Sequence, residues 1–141
     1  MNNFRSAVLS VVVTQFILGC AGPSYQARPI DVDPAGEKVV IVRDDATREG
    51  FIETMRAWLH AKGYSYEVVP EGAKHDPENI TLEYVGYWGW DLALYLERAE
   101  IRAYQGGQPV GQVEFKAPNS LNFSKFGEGA ERIEGMMDVL F

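Results

Sequence analysis

The chain contains a single cysteine, Cys20, so no intramolecular disulfide can support its fold. Burial of apolar side chains must therefore supply the stability of any globular part. Cys20 ends the segment VVVTQFILGC, in which a short apolar run leads to Gly19, and Arg5 is the one basic residue before the run. A basic start, a short apolar stretch and a small residue at its end are typical of a processed secretory signal.

The apolar stretch at residues 7–18 does not fit a membrane-spanning helix or a buried helix of a globular domain. A membrane-spanning helix needs roughly 20 predominantly apolar residues. A buried helix of a globular domain fits poorly, because three consecutive valines give no amphipathic face and Gly19 and Pro23 follow at once. An ordinary cleaved signal gives no reason for a cysteine at this position. The segment Ile17-Leu18-Gly19-Cys20 resembles a bacterial lipobox, which implies that residues 1–19 are a removed signal peptide and that Cys20 carries acyl chains such as palmitate.

Processing at Cys20 would limit the chemistry of the mature chain. No thiol would remain for metal ligation or cysteine catalysis. Loss of residues 1–19 removes only Arg5 from the charge count, so the net charge changes from −7 to −8. An acidic chain of this kind has no electrostatic basis for binding nucleic acid or anionic lipid head groups. We therefore expect a membrane contact through the lipid on Cys20 and no nucleic-acid partner.

Composition divides the rest of the chain into a tether and one domain. Residues 20–37 contain the acylated cysteine and a stretch rich in proline and glycine that lacks an apolar period. A Pro-rich spacer extends by roughly 3.1 Å per residue, so this stretch could hold a domain about 50 Å from its anchor. Residues 38–141 have the usual size of a single domain with one core.

The first half of the domain predicts a strand, a helix and a second strand. Residues 39–42 form a β-branched run that is typical of a strand covered on both faces. Asp44, Asp45 and Thr47 are cap-forming residues before a helix that Gly63 ends. The helix carries one apolar stripe: Phe51, Ile52, Met55, Trp58 and Leu59. Residues 64–69 predict a strand, and the charged residues 70–79 predict a solvated loop.

The second half predicts an antiparallel meander and a terminal helix. Residues 81–85, 93–104 and 110–115 predict strands, and residues 105–108 supply a glycine hairpin turn between the last two. Residues 123–141 predict a helix with Phe126, Ala130, Ile133, Met137 and Leu140 on one side. The expected fold is α+β, in the order β-α-β-β-β-β-α, with a mostly antiparallel sheet and two helices packed on one face.

Residues 82–115 also carry a sequence resemblance. The run WDLALYLERAEIRAY at residues 90–104 and the hairpin GQPVGQVEF at residues 107–115 resemble a small family of proteobacterial lipoproteins of unknown function. Its members share the pattern W-D-x-A-x-Y-L-x-x-A-E-x-R-x-Y. The resemblance covers most of residues 38–141 and departs at the glycine-rich start of the last helix. It implies the same element order and a lipoprotein address, but no activity.

Residues for catalysis or metal binding do not form a recognisable pattern. His60 fits a surface residue that compensates a helix dipole. His75 and Asp76 would need Asp44 and Asp45 beside them to form a metal site, and nothing in the sequence brings these pairs together. Alternating charges such as Glu97 and Glu100 are typical of a solvated strand face with cross-strand pairs, for example between Glu100 or Arg102 and Gln112 or Glu114. We expect no enzyme activity, cofactor or metal.

A dense aromatic cluster is the remaining candidate site, formed by Tyr87, Trp88, Trp90 and Tyr95. Such side chains dominate protein-interface hot spots and also stack on sugars. The family pattern favours a structural role for Trp90 and Asp91 in a turn, whereas Tyr87 and Trp88 are the better candidates for exposure. A pocket lined by Tyr87 and Trp88 would favour ligand binding. An exposed flat aromatic patch or an uncovered strand edge would favour a protein partner.

Two functions remain after these exclusions. The first is a non-enzymatic, membrane-anchored lipoprotein that binds an envelope protein or assists envelope assembly. The alternative is a lipoprotein that binds a glycan or a lipid in an aromatic pocket near Tyr87 and Trp88. Ala21 follows Cys20, where an aspartate would resemble the usual inner-membrane retention signal. We therefore expect attachment to the outer membrane on its periplasmic side.

Overall fold

Two helices cover one face of a six-stranded sheet in a computed structural model, which describes residues 24–31, 36–118 and 128–141. The strand order in the sheet is β1-β6-β5-β4-β2-β3. Strand β2 is parallel to β3 and β4, and the other neighbouring pairs are antiparallel. The elements are β1 (Ser24–Arg28), β2 (Val39–Val42), α1 (Glu49–Ala61), β3 (Tyr66–Val69), β4 (Ile80–Asp91), β5 (Ala93–Gln105), β6 (Gln108–Lys116) and α2 (Gly129–Leu140).

The predicted fold class is confirmed. From residue 39 onward the elements follow the order β-α-β-β-β-β-α, and the sheet is mostly antiparallel. Both helices contribute to one core with the inward residues of β4, β5 and β6. The predicted glycine turn is also present: Gln105 pairs with Gln108, and Gly106 and Gly107 have φ of 56° and 77°. Glycine adopts these positive angles without a steric penalty.

Strand β2 is buried on both faces, as its β-branched run predicts. Val39 and Ile41 join the core under the helices, and Val40 and Val42 are also buried on the opposite side. Because β3 and β4 lie on either side of β2 and run parallel to it, the chain at residues 70–79 must cross the sheet between them. Contacts of this crossing with Glu83 and Tyr104 place it on the face without helices.

Polar contacts at the helix ends hold α1 and α2 in place. After α1, the backbone N–H groups of Gly63 and Tyr64 donate to the carbonyls of His60 and Leu59 at 3.1 and 2.9 Å, which completes a Schellman-type end. The indole Nε1–H of Trp58 donates to Asp138 of α2 at 2.9 Å. The two helices are therefore joined by a directional contact as well as by apolar packing.

The prediction of an extended tether is wrong for residues 24–31. Strand β1 pairs with β6 over five residues, from Ser24 opposite Lys116 to Arg28 opposite Gln112. The Ile30 N–H then donates to the carbonyl of Leu140 at 2.8 Å. Tyr25 packs against the core beside Phe115, but Tyr25 and Ala27 are too short an alternation to predict a strand among the prolines and glycines of this stretch. The part of the domain that the structure describes thus begins by residue 24.

Three local predictions also need correction. Asp44 accepts hydrogen bonds from Ala46 N–H and the Thr47 hydroxyl within the preceding turn, and Arg48 occupies the N-cap of α1 without a side-chain cap. Helix α2 is described from Gly129; Ala130 is exposed, and Phe126 lies outside the described residues. Strand β4 continues past the predicted end at residue 85 and through the aromatic segment to Asp91, so this segment is part of a long hairpin.

Candidate functional site

Neither of the described helices packs on the second face of the sheet, and the residues of that face form ordered cross-strand rows. Register places Tyr87, Arg98, Lys116 and Ser24 side by side on β4, β5, β6 and β1. The next row toward the crossing loop contains Val85, Glu100, Glu114 and Gln26. This helix-free area is the open face. Hydrogen bonds and a cation–π contact join several of its polar side chains across neighbouring strands.

Glu100 is the centre of a polar network on the open face. Arg102 donates from Nε and Nη2 to the two Glu100 oxygens at 2.6 and 3.0 Å. The Gln112 amide donates to Glu100 at 2.8 Å and to Glu114 at 3.0 Å, which bridges two carboxylates that face each other across β5 and β6. The Glu100 carboxylate raises the pKa of Arg102. Of the predicted cross-strand pairs, the one between Glu100 and Gln112 is confirmed, whereas Arg102 pairs with Glu100 within β5.

Tyr87 and Tyr95 lie together in a shallow groove on the open face. The Arg98 guanidinium carbon lies 4.4 Å from the centroid of the Tyr87 ring, within cation–π range. Tyr95 covers Gly89 on the paired strand, where an added Cβ would lie 2.8 Å from the Tyr95 ring. The groove has a volume of ≈ 750 Å³. Its charged and polar lining also includes Gln26, Glu97, Glu114 and Lys116; we call it the sheet-face groove.

Trp88 lies on the other side of the sheet from Tyr87. Its ring meets Phe51 of α1 edge-on, with centroids 6.3 Å apart, and Arg48 lies 5.9 Å from the ring centroid. Trp88 lines a cavity of ≈ 560 Å³ between α1 and the start of α2. The predicted pocket shared by Tyr87 and Trp88 is therefore wrong, since adjacent residues of a strand point to opposite faces. The expected exposure of Trp88 is also wrong, because its side chain is partly buried.

Trp90 lies at the end of the β4–β5 hairpin, outside both the core and the groove. Strands β4 and β5 pair beyond the last β5–β6 pair, up to Asp91 opposite Ala93, and Leu92 makes the turn with φ 63°. Residues 90–94, the hairpin tip, are largely exposed: Trp90 at 74%, Leu92 at 89% and Leu94 at 46%. The predicted place of Trp90 and Asp91 at a turn agrees with this hairpin end, but the Trp90 ring does not fill a core.

The histidines and the remaining acidic candidates are dispersed. His75 pairs with Glu83 at 2.8 Å and contacts the Tyr104 ring, while Asp44 bonds to Thr47. Two backbone N–H groups, of Asn79 and Glu78, donate to Asp76 and lower its pKa. In the described ranges, no three His, Cys, Asp or Glu side chains are grouped so that they could hold a metal ion. Cys20 lies outside the described residues.

The sequence interpretation missed Leu92, Leu94, Arg98 and Lys116 as surface residues of interest. The signal that could have found the hairpin is the period-two alternation, which continues from residue 80 to residue 91 once glycines are allowed in the strand. Gly86 and Gly89 obscure that alternation, because they have no side chain to mark either face. Arg98 and Lys116 could be found only from the register that places them beside each other.

The part of the chain that the structure describes is an α+β domain in which both helices pack on the same face of the sheet. Comparisons with known proteins do not narrow this class further. No family model matches the sequence, and no curated protein matches it. A solved structure of a minor lipoprotein from Acinetobacter baumannii is similar with a TM-score of 0.36 and 11% identity, over 72% of this chain and 91% of that chain. A likeness at this level carries no argument. Within the described residues, no helix is long and apolar enough to cross a membrane.

Proposed function

We propose that the protein is a lipid-anchored, non-enzymatic module of the bacterial envelope that binds another envelope protein on the open face of its sheet. The observation that carries the proposal is the arrangement of Tyr87, Tyr95 and Arg98 in the sheet-face groove, beside the edge strand β1. Tyrosine and arginine are enriched at interface hot spots. An edge strand also offers backbone groups to an added strand.

The anchor part of the proposal rests on the lipobox-like segment before Cys20. Metabolic labelling with radioactive palmitate should label the wild-type protein and leave Cys20→Ser unlabelled. Membrane fractionation on a density gradient should place the labelled protein with the outer membrane. A wild-type protein without label, or a Cys20→Ser variant that still fractionates with membranes, would contradict the anchor.

The partner part can be tested by site-specific photocrosslinking in cells. A photoreactive phenylalanine analogue at Tyr87 should give a discrete adduct, and the same analogue at His60 on α1 should not. The charge reversal Arg98→Glu should abolish the Tyr87 adduct, because it removes the guanidinium of the groove. Arg56→Glu, on the solvent-exposed side of α1, is the matched control and should retain the adduct. Equal adducts from both positions would mean that the open face is not the binding surface.

Glycan binding in the same groove is the second candidate function. Exposed tyrosine rings stack on sugars, and the groove volume lies within the range of small-ligand sites, about 300–1,000 Å³. Titration with disaccharide-peptide fragments of peptidoglycan should then shift the NMR signals of Tyr87 and Arg98 but not those of His60. Shifts without a protein adduct would favour the glycan over the protein partner.

A further inference from the structure

The exposed hairpin tip and the entry of the chain into the domain lie at the same end of the sheet. Ser24 is the first residue of β1, and register connects it through Lys116 and Arg98 to Tyr87. Strand β1 is antiparallel to β4, so β1 begins at the end of the sheet toward which the hairpin extends. The end of the sheet at which β1 begins is therefore also the end that carries the tip.

Covalent geometry limits how far Cys20 can lie from this end of the sheet. An extended chain covers at most about 3.6 Å per residue, so Cys20 can lie no more than about 14 Å from Ser24. Strands rise about 3.3 Å per residue, and Leu92 lies five positions beyond Tyr87, so the tip extends about 16 Å past the same row. An anchor at Cys20 would thus hold the tip near the membrane surface and leave no room for a long spacer.

The chemistry of the tip suits the interfacial region of a bilayer. Trp90 is 74% and Leu92 89% exposed, and Leu94 shares the Trp90 face because the two are directly paired. Tryptophan prefers the head-group level of membranes, where its ring is apolar and its N–H remains hydrated. Asp91 at the same end keeps the insertion shallow, because a carboxylate remains in water.

We propose that the hairpin tip, through Trp90, Leu92 and Leu94, inserts into the lipid surface beside the acylated Cys20 and gives the domain a second membrane contact. This inference rests on the proposed anchor. The acyl chains on Cys20 supply the attachment, and the tip would add buried apolar area at the same membrane surface. Two contacts at one end would also fix the orientation of the domain, with the open face roughly perpendicular to the membrane plane.

Tryptophan quenching by brominated lipid tests this insertion on the full acylated protein. Mass spectrometry first verifies the acyl chains on Cys20, which separates failure of the anchor from failure of the tip. The protein is then reconstituted into phosphatidylcholine vesicles with and without bromine-labelled acyl chains. We expect wild-type fluorescence to be quenched, and we expect Trp90→Phe to lose most of that quenching. Trp58→Phe, a change at the buried tryptophan of α1, should keep it.

Two further results sharpen the test. The double variant Leu92→Ser/Leu94→Ser keeps Trp90 and should reduce its quenching at least several-fold, while circular dichroism shows an unchanged fold. Quenching should be equal with and without anionic phosphatidylglycerol, because apolar side chains carry the contact. An acylated protein whose quenching is the same in wild type and Trp90→Phe would overturn the proposal and leave the tip to a protein partner. Quenching only on anionic vesicles would also overturn it.

Discussion

The two halves of the β4–β5 hairpin share the same strands but differ in what covers them. At the base, Leu82, Ile101 and Ala103 lie at or near zero exposure beneath the helices. At the tip, Trp90 and Leu92 have the same apolar character and remain in contact with solvent. The difference comes from where α1 and α2 begin, beside Trp88, and not from the strands. An apolar pattern along a strand therefore identifies a face, while burial depends on the element that packs against that face.

Leu96 and Leu94 give the sharpest form of this comparison. They are the same residue type, two positions apart on β5 and on the same face, yet Leu96 is 1% exposed and Leu94 46%. Leu96→Ala should lower the free energy of unfolding by about 2–5 kcal/mol, because it leaves a cavity in the core. Leu94→Ala should lower it by less than about 1 kcal/mol. Urea unfolding of both variants measures the difference, and equal losses would mean that the tip is packed as tightly as the base.

Gly86 and Gly89 extend the comparison to backbone positions with no side chain. An added Cβ at Gly86 would lie 2.7 Å from the Trp88 ring and 2.9 Å from Phe51, which is fully buried in the core. At Gly89 the close atoms belong to the end of the Tyr95 ring, which can turn away. Gly86→Ala should therefore cost about 1–3 kcal/mol and Gly89→Ala less than about 1 kcal/mol.

Thermal unfolding followed by circular dichroism checks this order. The control is Gly50→Ala at an exposed position of α1, where an added Cβ would meet nothing within 4 Å. It should be neutral or stabilising by up to about 1 kcal/mol, since alanine is the better helix former. A larger loss at Gly89 than at Gly86 would mean that Tyr95 is held more firmly than Phe51.

The same comparison explains how far the sequence could predict this molecule. Residues 39–42, the stripe of α1 and the turn at residues 105–108 carry local signals, and each was predicted correctly. Strand β1 and the upper part of β4 carry weaker signals, because β1 has only Tyr25 and Ala27 as alternate apolar positions and Gly86 and Gly89 obscure the alternation of β4. Local patterns predict a helix or strand where the residues of that element themselves favour its formation.

The candidate site was predicted less well for a related reason. Sequence proximity grouped Tyr87, Trp88 and Trp90 into one cluster, but the structure divides them among the sheet-face groove, the helix side and the hairpin tip. The two-residue period of a strand accounts for the first separation. The second depends on the length of the helices that cover the sheet, which the residues of β4 do not encode.

The contact between α1 and α2 helps to keep the base of the hairpin covered, and its strength should depend on pH. The Trp58 N–H and, less strongly, the Lys62 ammonium hold the pKa of Asp138 below its ordinary value. A carboxyl whose pKa is lower in the folded state stabilises the fold above the unfolded pKa, about 3.9. That contribution disappears as the pH falls through the lower, folded value.

Asp138→Asn is the corresponding variant, because its amide oxygen can still accept the Trp58 N–H but carries no charge. We expect a loss below about 1 kcal/mol at neutral pH, since the Asp138 side chain is 54% exposed and solvent screens the charge. The difference from wild type should shrink as the pH falls below about 4, in urea midpoints measured between pH 7 and 2.5. Glu134→Gln removes a charge from α2 without touching the Trp58–Asp138 contact and is the control. If its pH dependence matched that of Asp138→Asn, the general charge of α2 and not the indole contact would set the effect.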